Sequence, residues 1–243
     1  MNNIAFIILA AGKGVRMQNT EIPKPMQLLA GRPLVGYILE TFEKIGITKN
    51  QTWIVTHYLE EQIQNSFPGY NFVHQPQIDG SAKAVEYALA EIGAEFDQIF
   101  VINADDSMFY RSGTIASFID DFQSKKWPMS LITVKKELDS LGSVIRDKSR
   151  APMEIWPESK CREQNLKIKE IVCGTYLFDR QWLSASIDKL KPMASGEIGL
   201  PYLLEIAYQE NHPANIFELK NPNEWMSVNT PSELKEAEKL NFR

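Results

Sequence analysis

An unbroken apolar run over residues 4–10, short and rich in β-branched side chains, opens the chain and predicts a strand covered on both faces of a parallel sheet. Pro33 then opens a helix in which Leu34, Val35, Ile38, Leu39, Phe42 and Ile45 recur at three-to-four spacing until Gly46 stops it. Strands are predicted at 53–56, 71–74 and 98–103, and helices at 59–67, after Gly80, and at 112–123. The helix after Gly80 has Ala84, Val85, Ala88, Leu89 and Ile92 on its inner face. Strand and helix alternate through the first 125 residues, which predicts βαβ units with helices on both faces of the sheet.

After Trp127 the pattern changes. Short strand-like runs at 130–134, 143–146, 153–156 and 168–178, separated by charged loops, predict an antiparallel lobe beside the parallel sheet. Helical spacing returns at 181–190 and 200–208, where Leu203, Leu204 and Ala207 share a face. Thr230-Pro231-Ser232-Glu233 is a capping box with proline at the first helical position, so a last helix should reach about residue 240.

A chain of 243 residues, 44% hydrophobic, can bury a sizeable core as one large α/β domain or two small ones, and one is the expectation. The net charge of −5 argues against nucleic-acid or acidic-membrane partners, since neither polyanion is attracted at long range. Cys161 and Cys173 are too few and too far apart for a disulfide framework or a Cys-x-x-Cys unit, so a reducing, cytoplasmic setting is expected. The first ten residues hold no Lys or Arg, and their apolar run is too short for a membrane span, so neither a signal peptide nor a membrane anchor is expected. A homo-oligomer is left open.

The chemistry concentrates where the first strand ends. Leu9-Ala10-Ala11-Gly12-Lys13-Gly14-Val15-Arg16-Met17 empties the strand into a small-residue turn at the carboxyl end of the sheet, where open α/β sheets bind ligands. Gly12 and Gly14 let the backbone bend and come close to a phosphate. It is not a P-loop, because Gly14 stands where Ser or Thr is required, nor a dinucleotide fingerprint, because Met17 replaces the third glycine. Arg16 offers a fork for two phosphate oxygens, and Lys24, between Pro23 and Pro25, offers a compact charge on a restrained backbone. Transfer at phosphorus gains most from such charge neutralisation.

Asp105 ends the buried strand 98–103 and is a plausible ligand for Mg²⁺, a hard cation that takes one or two carboxylates with phosphate oxygens. The neighbouring Asp106 reads as a helix cap rather than a partner behind that ligand. Gln75 offers a donor and an acceptor to a base edge, or is an ordinary loop residue; the Gly80-Ser81 helix entrance leaves free N–H groups for a ring oxygen.

With these positions assembled, the chain resembles the sugar-phosphate nucleotidylyltransferases, including the uridylyltransferase domain that makes UDP-N-acetylglucosamine. The resemblance is carried by the turn 9–17, Pro23-Lys24-Pro25, Leu29-Ala30-Gly31-Arg32-Pro33-Leu34, Gln75 with Gly80-Ser81-Ala82, Asp105, Gly142, Glu170-Ile171-Val172-Cys173-Gly174 and Val228-Asn229-Thr230-Pro231. It implies one Rossmann-like (GT-A-like) domain: a mixed, mostly parallel sheet flanked by helices, with a small antiparallel sugar-binding lobe. A nucleotide-binding half would span 1–125 and an acceptor-binding half 126–243. Leu9, Ala10, Ala11, Gly12 and Gly14 would line the nucleotide, Arg16 would bind the β and γ phosphates, and Lys24 would steady the α-phosphate and the incoming sugar phosphate. Asp105 and Asn229 would hold Mg²⁺, Gln75, Gly80 and Ser81 would read a uracil or thymine, and Gly142, Cys173 and Gly174 would line the sugar pocket. The implied partners are a nucleoside triphosphate and a sugar-1-phosphate, joined with release of pyrophosphate.

Val15 and Ala104 replace a threonine and a glycine common in that family, and Val172 replaces an asparagine that binds N-acetylglucosamine, which points to another sugar phosphate. No counterpart of a sugar-binding glutamate stands out near Glu154 or Glu158, and the hexapeptide β-helix of longer relatives, with its acetyltransferase role, is not expected. A cytidylyltransferase acting on phosphocholine is the alternative, with Trp53, Trp127, Trp156, Trp182 and Trp225 as candidate choline faces. A glycosyltransferase built on Asp105-Asp106 would leave Arg16 and Lys24 unexplained. Pure nucleotide-sugar binding without turnover would not require Arg16, Lys24 and Asp105 together.

Overall fold

The protein is described by a computed structural model covering residues 3–125, 127–137, 141–167, 169–193, 195–212 and 214–240. The elements in chain order begin with strands β1 (Ile4–Leu9), β2 (Leu28–Leu29) and β3 (Arg32–Pro33), helix α1 (Leu34–Lys44), β4 (Thr52–Thr56), α2 (Glu60–Ser66), β5 (Asn71–His74), α3 (Ser81–Glu91) and β6 (Gln98–Asn103). They continue with α4 (Ser112–Lys125), β7 (Met129–Lys136), β8 (Ser143–Arg146), β9 (Pro152–Trp156), α5 (Glu158–Glu163), β10 (Lys169–Asp179), α6 (Arg180–Ser186), α7 (Leu203–Gln209), β11 (Ala214–Glu218) and α8 (Pro231–Lys239).

Among the described residues, seven strands form one sheet in the order β11-β7-β10-β6-β1-β4-β5. Only β10 runs against the others, pairing antiparallel with both β6 and β7, while the remaining pairs are parallel. The alternation of β1 supplies both cores at once. Ile4, Phe6 and Ile8 face the helix layer of α1 and α4, where Phe6, Phe42 and Phe100 meet with ring centroids 5.1–5.7 Å apart, and Ala5 and Ile7 face the layer of α3, α6 and α7. Each fully buried phenylalanine contributes on the order of 2 kcal/mol of apolar burial.

α1 ends as its glycine predicts. Gly46 takes φ +81°, Gly46 N donates to Glu43 O and Ile47 N to Phe42 O, the paired bonds of a Schellman stop.

The α/β architecture anticipated from the alternation is therefore present, with one redistribution. The runs at 130–134 and 168–178 belong to β7 and β10 of the main sheet; Ile168 itself lies outside the described residues. Among the described residues two small antiparallel sheets stand apart from it, β2 with β3 and β8 with β9, so of the expected lobe β8 and β9 remain. Apolar runs reveal strands but carry no record of which strand each will pair with, and β7 and β10 are buried on both faces like the parallel strands. Strand β11, half-buried at the sheet's edge, escaped the sequence pattern because Ala214-Asn215-Ile216 lacks a run of β formers.

Candidate active site

The loop after β1 is shaped by one glycine more than the other. Gly14 adopts φ +61°, and a Cβ there would stand 2.7 Å from Lys24 Cβ, so only glycine lets the lysine stem pass. Beyond it, Val15–Met17 form a single 3₁₀ turn closed by Met17 N to Gly14 O at 2.8 Å and anchored by the buried Met17. Gly12 has ordinary backbone and open space beside it, so its role is to leave room rather than to bend the chain.

Lys24 starts a second 3₁₀ turn, Lys24–Met26, and is only 9% exposed. A buried ammonium must be paired. Lys24 Nζ forms an ion pair with Asp105 Oδ2 and donates to Asn229 Oδ1 at 2.7 Å, and Arg16 Nη2 donates to that same amide oxygen at 3.0 Å. Four residues separated by up to 213 positions thus converge.

The backbone explains the convergence. Asp105 leaves the carboxyl end of β6, the neighbour of β1, and its carbonyl accepts from Val228 N at 3.2 Å. Asn229 is fixed by α8, since Glu233 Oε2 accepts from Asn229 N at 2.7 Å and Thr230 N at 2.8 Å while Thr230 Oγ1 accepts from Glu233 N. The capping box read from sequence therefore also aims the candidate metal amide.

Beside this cluster lies a cavity of about 270 Å³ lined by Leu9, Ala10, Ala11, Gly12, Lys24, Gln75, Gly80, Ser81 and Asp105, all predicted, together with Pro25, Ile78, Ala84, Asn103, Ala104 and Glu197. A larger cavity of about 740 Å³, between α1 and the loop 221–224, contains none of the predicted residues. Gln75 is almost wholly buried, with Nε2 donating to Asp79 Oδ1 at 2.8 Å and Gly80 O at 3.2 Å, so it braces the loop it stands in. Gly80 takes φ +112°, where a Cβ would lie 2.3 Å from Ile198 O. That close approach, with Ala82 N to Ile198 O and Leu200 N to Ser81 Oγ, brings Glu197 to the cavity wall. Sequence reasoning missed Glu197 because residues 191–199 carry no periodic pattern.

Three predicted sugar-pocket residues stand apart from this cavity. The Cys173 side chain is fully buried in the core beside α4, so its thiol does not face the cleft; burial pushes its pKa well up. Gly174 lies in the irregular stretch of β10 at φ +63°, where a Cβ would meet Asn103 Nδ2 and Asp106 Oδ2; a Cβ on Gly142 would meet Trp156 O. Packing within the protein already requires glycine at both places.

Asp106 is not a helix cap, because α4 begins only at Ser112. Its carboxyl is buried, with Oδ2 accepting from Asn103 Nδ2 at 3.2 Å and Oδ1 without a partner. Burial pushes its pKa well above its ordinary value and the charge of Asp105 adds to this, against Asn103, Lys24 and Trp225.

Of the tryptophans, Trp53, Trp182 and Trp225 are core residues, while the half-buried Trp127 and Trp156 each carry a lysine of this chain over the ring, Lys160 at 4.4 Å from the Trp156 centroid. Both cysteines are free and buried. Among the described residues, no helix is long and apolar enough to cross a membrane and no three His, Cys, Asp or Glu residues cluster as a metal site. The Asp105 carboxylate and Asn229 amide oxygen nevertheless converge on one cation, the Lys24 ammonium. A carboxylate oxygen and an amide oxygen are donors of the hard kind that Mg²⁺ takes.

A putative glucose-1-phosphate thymidylyltransferase from Bacillus anthracis, crystallised with sucrose, superposes with a TM-score of 0.77 over 99% of this chain and 97% of its own, at 20% identity, and so shares the fold. The chain is 28% identical over 240 residues to the bifunctional protein GlmU of Bacillus mycoides and over 243 residues to that of Bacillus cereus strain AH187. The match covers 98% of this chain and 52% of each relative, so the chain spans about half the length of the curated relatives it matches. The profile of the MobA-like NTP transferase domain matches residues 6–191, from the first strand past the loop of cations and Asp105 to beyond α6. Arg16, Lys24 and Asp105 of the cluster thus lie within a match that takes in most of the sequence, with Asn229 beyond its end, and the chain belongs to the MobA-like NTP transferase domain family.

Proposed function

We propose that the protein is a Mg²⁺-dependent nucleotidyltransferase that moves a nucleoside monophosphate from UTP or dTTP onto a sugar-1-phosphate. An oxygen of the sugar phosphate forms a bond to the α-phosphorus, the bond from that phosphorus to the bridging oxygen breaks, and pyrophosphate leaves with the bonding electrons. The observation that carries this reading is the convergence of Arg16, Lys24, Asp105 and Asn229 beside the cavity between β1 and α3.

No side-chain nucleophile is needed, because displacement at phosphorus is served by alignment and charge neutralisation. Lys24 brings a buried ammonium to the reacting phosphate, and Arg16 presents its guanidinium to the departing pyrophosphate. Asp105 and Asn229 would hold Mg²⁺, which supplies charge to the phosphate oxygens. Gln75 and the Gly80-Ser81 entrance take the base. Residues 1–125 act as the nucleotide half and 126–243 as the acceptor half, with Gly142 and Gly174 near the acceptor.

Phosphocholine transfer is the less favoured acceptor chemistry, since the half-buried tryptophans already carry lysines of the chain over their rings. The experiment is a pyrophosphate-release screen of UTP, dTTP and CTP against a panel of sugar-1-phosphates and phosphocholine, with and without Mg²⁺. Release that requires a sugar-1-phosphate, a pyrimidine triphosphate and Mg²⁺ is the expected result. Release with phosphocholine alone would replace the acceptor, and no release from any pair would overturn the reading.

A further inference from the structure

Gln75 is the buried corner of the cavity, and its main chain is clamped from both sides. Its N–H donates to Thr56 O at 2.8 Å, and its carbonyl lies 2.7 Å from His57 Nδ1. A carbonyl only accepts, so Nδ1 of His57 carries the proton. The His57 ring stacks on that of His74, with centroids 5.7 Å apart and 26° between planes. His74 Nδ1 is in turn 2.8 Å from Glu60 Oε2, which also accepts from Thr56 Oγ1 at 3.1 Å. The imidazole that holds Gln75 is therefore itself held.

The residues that follow His57 reach the opposite way. The Tyr58 hydroxyl donates to Thr20 O at 2.5 Å, and Gln62 Nε2 donates to Glu21 O at 2.8 Å. Thr20 and Glu21 lie in the segment that joins Arg16 to Lys24. Between them Leu59 adopts φ +51°, a left-handed conformation that a leucine takes only where the surroundings impose it. One short turn therefore grips both the loop that carries the cations and the loop that carries Gln75.

We propose that residues 57–62 are a positioning element that sets the nucleobase-reading loop, through His57, and the phosphate-gripping loop, through Tyr58 and Gln62, at a fixed separation. A polar group that reads a base must be held within about 0.5 Å of its productive place, and a main-chain clamp from His57 supplies such a hold. Neither His57 nor Tyr58 is assigned a contact with substrate. The inference rests on the nucleotidyltransferase reading and adds to it the residues that govern base discrimination from behind the site.

The test uses the full chain, whichever of UTP, dTTP and CTP the wild type uses best, and inorganic tripolyphosphate as a competitive inhibitor that has phosphates and no base. For His57→Ala, KM should rise about tenfold with kcat within about twofold, the Ki of tripolyphosphate should stay within about twofold, and the preference among the three triphosphates should shrink at least about threefold. His57→Asn, whose amide N–H can replace Nδ1–H, should restore most of the affinity. Tyr58→Phe should instead raise the Ki of tripolyphosphate and the KM together.

Equal effects of His57→Ala on KM and on the tripolyphosphate Ki would mean general loosening and would overturn the proposal. So would unchanged kinetics in His57→Ala, or failure of His57→Asn to differ from it. If His57→Ala does not fold, His74→Ala, which removes the stacking ring and its bond to Glu60, should show the same KM rise at about threefold and the same unchanged inhibitor; no rise there overturns the proposal. Should the wild type turn over no triphosphate, the functional reading fails separately, and the same comparison is made with calorimetric Kd values for UTP and tripolyphosphate.

Discussion

Lys24 Nζ donates to Asn229 Oδ1 at 2.7 Å, joining the loop after the first strand to the entrance of the last helix across 205 residues of sequence. The same ammonium is paired with Asp105 at the end of β6, so one side chain closes three segments around the cavity. In the proposed reaction this lysine exchanges a protein carboxylate for a phosphate.

Replacing Lys24 with alanine should lower turnover by at least about tenfold, the scale of losing one charge contact to a reacting phosphate. Because Asp105 and Asn229 remain backbone-anchored through Val228 and Glu233, circular dichroism of the variant should match the wild type. Pyrophosphate release measured on the folded variant checks this, and an unchanged rate counts against the site.

Adjacent carboxylates should behave differently. Asp105→Asn should cost at least about tenfold in turnover, because Asp105 lines the cavity, whereas Asp106→Asn should keep turnover within about threefold, because its carboxyl is buried away from it. Asp106→Ala should mainly lower thermal stability, by leaving the Asn103 amide short of an acceptor. Parallel rate and melting measurements separate the two residues; a larger rate loss at Asp106 would mean that the wrong carboxylate has been assigned.

The two glycines of the first loop should also part. Gly14→Ala forces a side chain into φ +61° and against Lys24 Cβ, and should cost about 1–3 kcal/mol of stability together with turnover. Gly12→Ala meets open space, so stability should hold within about 0.5 kcal/mol while the KM for the triphosphate rises as the methyl enters the cavity. Denaturant melts and initial rates on both variants distinguish these outcomes.

Chelation should silence the protein without unfolding it. EDTA is expected to abolish pyrophosphate release, added Mg²⁺ to restore it, and Asp105→Asn to require a higher Mg²⁺ concentration for half-maximal rate. Rates indifferent to EDTA would remove Mg²⁺ from the account.

Much of this arrangement is legible in the sequence because local chemistry dictates it. The apolar run 4–10 reads as a two-faced strand, Gly46 as a helix stop and Thr230 to Glu233 as a capping box, and each sits where expected. Arg16 and Lys24 are legible as cations in the loop after the first strand, and Asp105 as a carboxylate after β6. Strand order was not, because pairing of β7 and β10 with the main sheet depends on contacts far apart in the chain. Asp106 looked like a cap because sequence shows a carboxylate after a strand and not its burial. Glu197 was invisible for a related reason: its place depends on the close approach of Gly80 to Ile198, which no periodicity announces.

The most direct test of the central claim is phosphorus NMR of the wild-type protein with Mg²⁺, a pyrimidine nucleoside triphosphate and a sugar-1-phosphate in one tube. The account predicts equimolar pyrophosphate and nucleoside diphosphate sugar, formed only when both substrates are present and absent with Lys24→Ala. Inorganic phosphate as the product, or spectra that stay unchanged with every pyrimidine triphosphate and sugar-1-phosphate tried, would contradict it.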